Sequence, residues 1–257
     1  MKLTVLCENT SRCALGCEHG LSLYIESGGT KLLFDTGQSG LFAENAAALG
    51  VDLSAVELCV ISHGHYDHGG GLKTFLACND RAPIYISPHA FEEHFNAAGE
   101  YNGLDPALKQ SGRFVPVPEQ REIAAGMRLY PALPQEPPRP IEAFGLGMLR
   151  GGEIVPDDFR HEQYLLIEEA GRRILISGCS HRGVLNIVSC FRPDVLVGGF
   201  HLFRLAPGER LREIGRLLDG ADTDYYTCHC TGAEQYAVLR GEMRRLFYLS
   251  TGDSVEI

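Results

Sequence analysis

The sequence has 257 residues, of which 44% are hydrophobic and 22% are charged, and this composition excludes an intrinsically disordered or fibrous chain. Its formal net charge is −10, from 33 acidic and 23 basic residues without a block of Lys or Arg. This charge argues against a broad cationic surface, so we expect neither nucleic acid nor a membrane as a partner, although a local cationic pocket is compatible with it.

The N-terminal segment and the cysteines bear on the compartment of the protein. No apolar run approaches the about 20 residues of a membrane span, and the start MKLTVLCENTS lacks the apolar core and the cleavage site of a signal peptide. Nine cysteines, an odd number scattered along the chain, fit reduced thiols better than a disulfide framework. We therefore predict a cytoplasmic protein, whose oligomeric state the sequence does not indicate.

Alternating strands and helices are predicted for the first third of the chain. Apolar runs predict strands at Lys2–Glu8, Leu21–Ser27, Lys31–Thr36, Val56–Ser62 and Pro83–Ser87. Gly28 and Gly29 predict a hairpin turn between the second strand and the third. Helices are predicted at Gly40–Gly50, which is rich in alanine, and at Gly70–Ala77.

The middle of the chain is less regular. PHAFEEHFNAA, Pro88–Ala98, is predicted to form a helix because proline suits the first helical turn. Regular patterns weaken from about Gly99 to Arg160, and Tyr130–Pro140 has too many prolines for a helix or a central strand. We expect irregular connections and edge strands near the mouth of a pocket.

The last third returns to regular alternation. Strands are predicted at Gln163–Glu169, Arg172–Gly178, Asp194–Phe200, Thr223–Cys228 and Arg244–Gly252, and helices at Arg182–Phe191, Ala206–Gly220 and Gly232–Met243. A strand–turn–strand unit followed by alternating strands and helices thus occurs twice. We predict a single α/β domain, residues 1–257, with similar halves of about 1–120 and 121–257. Its two sheets form a sandwich covered by helices, because apolar strands need cover on both faces.

The segment ISHGHYDHGGGL, Ile61–Leu72, concentrates metal-binding side chains directly after a predicted buried strand. His63 and His65 point to the same side of an extended segment, because side chains repeat every two residues there. Asp67 and His68 follow from the turn into a helix. Imidazole and carboxylate ligands suit zinc, iron or manganese, and two such ions about 3.5–4 Å apart can activate water. The segment therefore predicts a metal site.

Further ligands are expected at the ends of other predicted strands. ISGCSHRG places Cys179 and His181 two positions apart after one strand, and YTCHCTG places His229 between Cys228 and Cys230 after another. Binding sites of α/β proteins lie beyond the carboxyl ends of their strands. We therefore expect these side chains to complete the site.

The pattern His-x-His-x-Asp-His after an apolar strand, with LLFDTG upstream and LISGC and YTCHC downstream, resembles the metallo-β-lactamase superfamily over nearly the whole chain. More narrowly, CENTS, EHGLS, LLFDTGQSG, HGHYDHGGGL, GCSHRGVLNIV, GGFHL and CHCTG resemble its dihydropterin synthase-like branch. That branch is named after 7,8-dihydropterin-6-methyl-4-(β-D-ribofuranosyl)-aminobenzene-5′-phosphate synthase. The resemblance implies a four-layer αββα sandwich with a dinuclear metal site at one edge.

The resemblance also implies roles for individual residues. His63 and His65 would hold the first metal ion, and Asp67, His68 and His229 the second. Cys179 stands where most members have a bridging aspartate, so its thiolate either ligates and favours zinc or leaves the bridge empty. Most members supply a further histidine near the position of His161, but the branch commonly has an acidic residue there. We therefore prefer His181 as the ligand that completes the first site and keep His161 as the alternative.

Other polar residues receive weaker assignments. Asp35 either orients ligands or caps a turn, and His201 in GGFHL either meets substrate or is an ordinary surface residue. His19 could line the pocket mouth, although loop histidines usually face water. The remaining residues are read as structural: His89 and His94 at the surface, Cys13 and Cys17 without a metal, and one of Cys228 and Cys230 in the core.

Three functions fit these expectations. The first is a metal-dependent hydrolase of a small molecule, in which activated water attacks an ester, lactone or phosphoester, with Asp67, His181 and His201 as catalytic residues. The second is a synthase that joins a pterin to an aminobenzene ribofuranosyl phosphate. Its substrate would need aromatic walls from among Phe91, Phe95, Tyr101, Phe200 and Phe203. The third is a metal- or ligand-binding module without turnover.

Overall fold

Two seven-stranded sheets pack face to face between two layers of helices in the computed structural model, which describes residues 1–257. This arrangement is the predicted four-layer α/β sandwich. No helix of the chain combines the length and the apolar character that crossing a membrane requires. The cytoplasmic location and the division into two similar halves stay predictions.

The first sheet has the strand order β17-β1-β2-β3-β4-β5-β7. Its strands are β1 Lys2–Cys7, β2 Ser22–Ser27, β3 Thr30–Phe34, β4 Leu58–Val60, β5 Ile84–Ile86, β7 Phe114–Pro116 and β17 Ser254–Glu256. The predicted hairpin is confirmed, since Ser27 pairs with Thr30 across Gly28 and Gly29, whose positive φ angles of 58° and 84° suit glycine. The C-terminal strand β17 pairs with β1, and the sequence analysis did not predict it.

The second sheet has the strand order β16-β15-β14-β13-β12-β9-β8. Its strands are β8 Arg121–Ala124, β9 Met127–Tyr130, β12 Tyr164–Glu169, β13 Arg172–Ile176, β14 Val195–Gly198, β15 Asp224–Thr227 and β16 Leu246–Tyr248. Strands β13 to β16 run parallel, so their carboxyl ends lie at one edge. Strands β3, β4 and β5 of the first sheet are parallel in the same way.

A small third sheet replaces the helix predicted at Pro88–Ala98, which is wrong. It contains β6 His94–Phe95, β10 Gly147–Arg150 and β11 Glu153–Pro156. The side chain of Asn96 accepts hydrogen bonds from the N–H groups of Ala98 and Glu100, which closes a turn. Long-range pairing of β6 with β10 and this local turn together override the helical pattern of the segment.

Helices cover the outer faces of both sheets. They are α1 Leu41–Ala48, α2 Tyr66–Gly69, α3 Leu72–Cys78, α4 Val184–Phe191, α5 Glu209–Asp219 and α6 Ala233–Glu242. Three buried apolar clusters fill the spaces between the four layers, and the central one, of 20 residues, joins the inner faces of the two sheets. Each fully buried Leu or Ile there contributes about 1.5–3 kcal/mol to stability. This core fixes the edge at which the strand ends meet.

Candidate metal centre

The candidate ligands of the segment Ile61–Leu72 lie between the end of β4 and the short helix α2. These residues are His63, His65, Asp67 and His68, and all are buried. A Cβ atom at Gly64 would lie 2.2 Å from the carbonyl oxygen of Ala90, so only glycine fits between the first two imidazoles. The close approach of Gly64 to Ala90 places the imidazoles of His63 and His65 beside the first turn of α2.

Four donor atoms from distant parts of the chain meet at one point. Nε2 of His68 lies 3.2 Å from Nε2 of His229 and 3.2 Å from Sγ of Cys179. Oδ2 of Asp67 lies 3.3 Å from Nε2 of His229 and 3.7 Å from Nε2 of His68. Ligands bound tetrahedrally to zinc at about 2.0–2.3 Å are about 3.3–3.8 Å apart. These atoms therefore have nearly the spacing of ligands around one ion.

Three imidazoles form a second group beside the first. The ring centroids of His63, His65 and His181 are 4.7, 4.7 and 4.9 Å apart, and Nε2 of His63 lies 3.1 Å from Nε2 of His181. Cys179 joins both groups, since donor atoms of His63, Cys179 and His181 lie within 4.8 Å of one another. The structure thus brings together all seven residues that the sequence predicted as ligands.

The carboxylate of Asp35 and the hydroxyl of Ser62 hold two of these imidazoles from behind. Oδ2 of Asp35 accepts a 2.7 Å hydrogen bond from Nδ1 of His68 and a 2.7 Å bond from the Ser62 hydroxyl. That hydroxyl also lies 2.8 Å from Nδ1 of His63. Because a carboxylate only accepts, the proton of His68 stays on Nδ1 and the Nε2 lone pair faces the other donors. Asp35 therefore orients a candidate ligand, one of its two predicted roles.

Other residues that hold the cluster were not singled out from the sequence. Nδ1 of His229 lies 2.7 Å from Oδ1 of Asn9, and its backbone N–H donates to Glu8 over 3.1 Å. The backbone N–H of His181 donates to Oε1 of Glu162 over 2.6 Å. Glu8 and Asn9 directly follow β1, so the rule that polar residues after strands gather at one edge would have found them.

His94 was predicted to be a surface residue, and this prediction is wrong. Its side chain is 0% exposed, and Nδ1 lies 2.8 Å from Oδ2 of Asp157, which is also buried. The ring of His161 lies beside it, tilted by 36° at a centroid separation of 3.9 Å, while Nδ1 of His161 accepts a 2.9 Å hydrogen bond from the N–H of Gly64. The ring of His161 lies 5.7 Å from that of His63, farther than the ring of His181. The error at His94 follows from the wrongly predicted helix.

A cleft of about 240 Å³ opens over the donor atoms. His201 lines this cleft and a neighbouring cavity of about 320 Å³, and both of its ring nitrogens are buried without a hydrogen-bond partner. His19 lies at the mouth, where its Nε2 is 3.2 Å from Oδ2 of Asp67. His89, by contrast, lies at the surface beside Glu92, as predicted.

Aromatic side chains contribute little to the cleft. Of the five considered from the sequence, only Phe203 lines it. The others pack elsewhere: Phe91 against Phe114, Phe95 against Tyr101, and Phe200 in the core. Cys228 lies in the central core, whereas Cys230 lies beside the donor atoms and lines the cleft.

Burial keeps most of these histidines neutral. It lowers the pKa values of His63, His65 and His181 well below their usual value. It also lowers the pKa of His229 to about 4. A histidine must be neutral to donate a lone pair to a metal ion. At pH 7 these four side chains are therefore in the form that a metal requires.

The thiol of Cys179 and the imidazole of His68 behave differently in the metal-free protein. Burial, together with the neighbouring Cys230 and Asp67, raises the pKa of the Cys179 thiol well above its usual value. Burial lowers the pKa of His68, but the carboxylates of Asp35 and Asp67 outweigh this effect and raise it. A divalent cation would remove both protons. The donor set of imidazole, carboxylate and thiol therefore fits a divalent transition metal.

Two curated proteins of Methanocaldococcus jannaschii are similar to this chain. An uncharacterized protein is 28% identical over 240 residues, which cover 90% of each chain. The enzyme 7,8-dihydropterin-6-methyl-4-(β-D-ribofuranosyl)-aminobenzene-5′-phosphate synthase is 29% identical over 258 residues, which cover 90% of this chain and 86% of that protein.

A solved structure and a family model agree with this similarity. The crystal structure of Tm1679, described as a metal-dependent hydrolase of the β-lactamase superfamily, superimposes with a TM-score of 0.82. That protein is 29% identical, and the match covers 100% of this chain and 99% of Tm1679. Residues 15–188 match the family model described as the metallo-β-lactamase superfamily. The family-model match agrees with the αββα sandwich and with the buried histidine cluster. The chain therefore belongs to the metal-dependent metallo-β-lactamase superfamily.

Proposed function

We propose that the protein is a metal-dependent hydrolase with two divalent ions at the edge of the sandwich. His63, His65 and His181 would hold one ion, and Asp67, His68 and His229 the other, with the thiolate of Cys179 within reach of both groups. Zinc suits this donor set best, and manganese and iron also accept imidazole and carboxylate ligands. The contacts of His68 with His229, Cys179 and Asp67, and of Asp67 with His229, all at 3.2–3.7 Å, carry the proposal.

The ions supply Lewis acidity, which polarises the scissile bond and lowers the pKa of a water molecule toward about 7. Asp67 would help to hold the second ion and to orient the attacking water molecule, and its Oδ2 lies 3.2 Å from Nε2 of His19 at the mouth of the cleft. Burial lowers the pKa of His201 to about 3, so this imidazole is neutral at pH 7. Its N–H can then donate to the developing oxyanion or to the leaving group.

The substrate we propose is a small molecule with an ester, lactone or phosphoester bond. The cleft of about 240 Å³ and the adjoining cavity of about 320 Å³ have the size of small-molecule sites. The net charge of −10 gives no broad cationic surface for a nucleic acid.

The test is turnover of a panel of model phosphodiesters, lactones and thioesters by protein purified without a chelator. Asp67→Ala should lower kcat for the hydrolysed substrate by on the order of 10²–10³, the cost of losing one preorganised polar group at a reacting centre. His89→Gln, on an exposed histidine, is the matched control and should retain wild-type activity. Metal-loaded protein that hydrolyses nothing in the panel would refute the hydrolase and favour a binding module.

The second candidate is a pterin-dependent synthase, favoured by the 29% identity to the archaeal synthase over 90% of this chain. The cavity of about 320 Å³ beside His201 has an apolar wall that includes Phe144, which suits a flat heteroaromatic ring. A melting temperature that rises with a dihydropterin, together with formation of a pterin adduct from an aminobenzene ribofuranosyl phosphate, would establish this function. Hydrolysis of the model esters without either result would exclude it.

A further inference from the structure

A buried group of polar side chains lies behind the imidazoles of His63, His65 and His181. The proposed function assigns no role to this group. His94 and His161 are 0% exposed and Asp157 is 4% exposed, and donor atoms of these residues and His65 lie within 4.8 Å of one another. The Nε2 atoms of His65 and His94 are buried without a hydrogen-bond partner. Buried polar atoms without partners are costly, so this arrangement requires an explanation.

The proton of His161 can be placed from its contacts. The N–H of Gly64 donates to Nδ1 of His161 over 2.9 Å, so Nδ1 carries the lone pair. Burial lowers the pKa of His161 to about 4, so the ring is neutral at pH 7 and its single proton is on Nε2. Nε2 points at Oδ2 of Asp157 from 3.3 Å. The Nε2–H group of His161 therefore faces this carboxylate, and the ring has no lone pair left for a metal ion.

The proton of His94 follows in the same way. Burial raises the pKa of Asp157, but the hydrogen bonds from His161 and His94 outweigh it and hold this pKa well below its usual value. The group is therefore a carboxylate, which accepts a 2.8 Å bond from Nδ1 of His94 and a 2.7 Å bond from the N–H of Phe159. With its proton on Nδ1, His94 keeps a lone pair on Nε2.

His65 supplies the proton that this lone pair can accept. Its ring lines the cleft while its Nε2 is buried without a partner, so Nδ1 is the nitrogen left to face the cleft. An imidazole that donates Nδ1 to a metal ion carries its proton on Nε2 and needs an acceptor there. Among the buried nitrogens behind His65, that of His94 has the free lone pair. The two rings lie with their centroids 5.7 Å apart, and their ligand atoms belong to one group within 4.8 Å.

We propose that Asp157 and His94 are positioning residues that hold His65 in the tautomer and orientation that ligate the first metal ion through Nδ1. This inference rests on the proposed function, because it requires a metal ion at His63, His65 and His181. It assigns a role to His94, Asp157 and the Nε2 proton of His65 and does not require a third ion in the buried group.

The test compares four variants of the whole protein by metal affinity, measured in competition with a chelator, and by the visible absorption of the Co²⁺ form. Asp157→Asn keeps the shape, but the amide donates to Nδ1 of His94, moves that proton to Nε2 and removes the acceptor. We expect Asp157→Asn and His94→Leu to weaken binding of the first ion about 10–100-fold and to shift the Co²⁺ bands. His94→Gln keeps an acceptor near the position of Nε2 and should recover most of the affinity. His89→Gln is the matched control and should equal wild type.

Two results would overturn the proposal. Asp157→Asn and His94→Leu with wild-type affinity and wild-type Co²⁺ bands, but lower melting temperatures, would make the group purely structural. Three ions bound to wild type, with one lost in His94→Leu, would make the group itself a metal site. Wild type that binds two ions but hydrolyses nothing refutes the hydrolase and leaves this inference standing. Wild type that binds no metal refutes both.

Discussion

Replacement of Cys179 by alanine tests the least usual feature of the candidate centre, a thiol between the two groups of ligands. Sγ of Cys179 lies 3.2 Å from Nε2 of His68. It also lies within 4.8 Å of ring nitrogens of His63 and His181. Burial, with Cys230 and Asp67 nearby, raises its pKa well above the usual value, so the metal-free thiol is protonated at pH 7. A metal ion bound by this sulfur must therefore displace a proton.

The expected size of the effect follows from these contacts. Cys179→Ala should release about one proton fewer per chain on metal binding at pH 7, because the thiol proton is one of the protons that the metal displaces. Loss of a direct ligand should weaken metal binding by more than the about 10–100-fold that changes to residues behind the ligands cause. The small buried side chain should change the stability of the metal-free protein by only about 1 kcal/mol.

Titration calorimetry in buffers of different ionisation enthalpy measures both the number of protons released and the affinity for the metal ion. Cys59→Ala is the matched control, because Cys59 is also buried with a raised pKa but lies in the apolar cluster beneath the helices. It should release as many protons as wild type. If Cys179→Ala also matches wild type in proton release and in affinity, Cys179 is not a ligand and the proposed bridge is wrong.

Three further predictions concern the support of the site and the core. Asp35→Asn removes the carboxylate that holds Nδ1 of His68 at 2.7 Å. The affinity for the second metal ion, measured by competition with a chelator, should therefore fall about 10–100-fold. Burial lowers the pKa of His161 from 6.5 to about 4, so its contribution is complete above pH 6.5 and is lost as the pH falls toward 4, by about 3 kcal/mol. Urea unfolding of the metal-free protein should show a loss of stability between pH 6.5 and pH 4 that is about 3 kcal/mol smaller in His161→Gln than in wild type, because the other buried histidines contribute to both. Phe34→Ala in the fully buried core should cost about 3–5 kcal/mol by the same measurement, and a cost below about 1 kcal/mol would contradict the packing.

Local sequence patterns were sufficient to predict the ligand-bearing strand ends. The apolar run before His63 and the strands before Cys179 and His229 place all three residues at the carboxyl edge of parallel strands. A two-residue period and the position of a strand end are local properties, so one sequence reveals them. The meeting of distant strand ends then followed from general rules for sheets.

The errors occurred where long-range contacts decide the structure. His94 lies on a segment whose composition suits a helix, but pairing of β6 with β10 makes it a strand. That pairing joins His94 to Met148, and the contact between His94 and Asp157 joins residues 63 positions apart in the chain. Strand β17 likewise depends on β1 at the opposite end of the chain. Intrinsic propensity carries no information about such partners.

Anomalous diffraction from crystals of protein purified without chelator tests the central claim most directly. We expect two peaks per chain, one among His63, His65 and His181 and one among Asp67, His68 and His229. No peak at either position, or a single peak between His94 and His161, would contradict it.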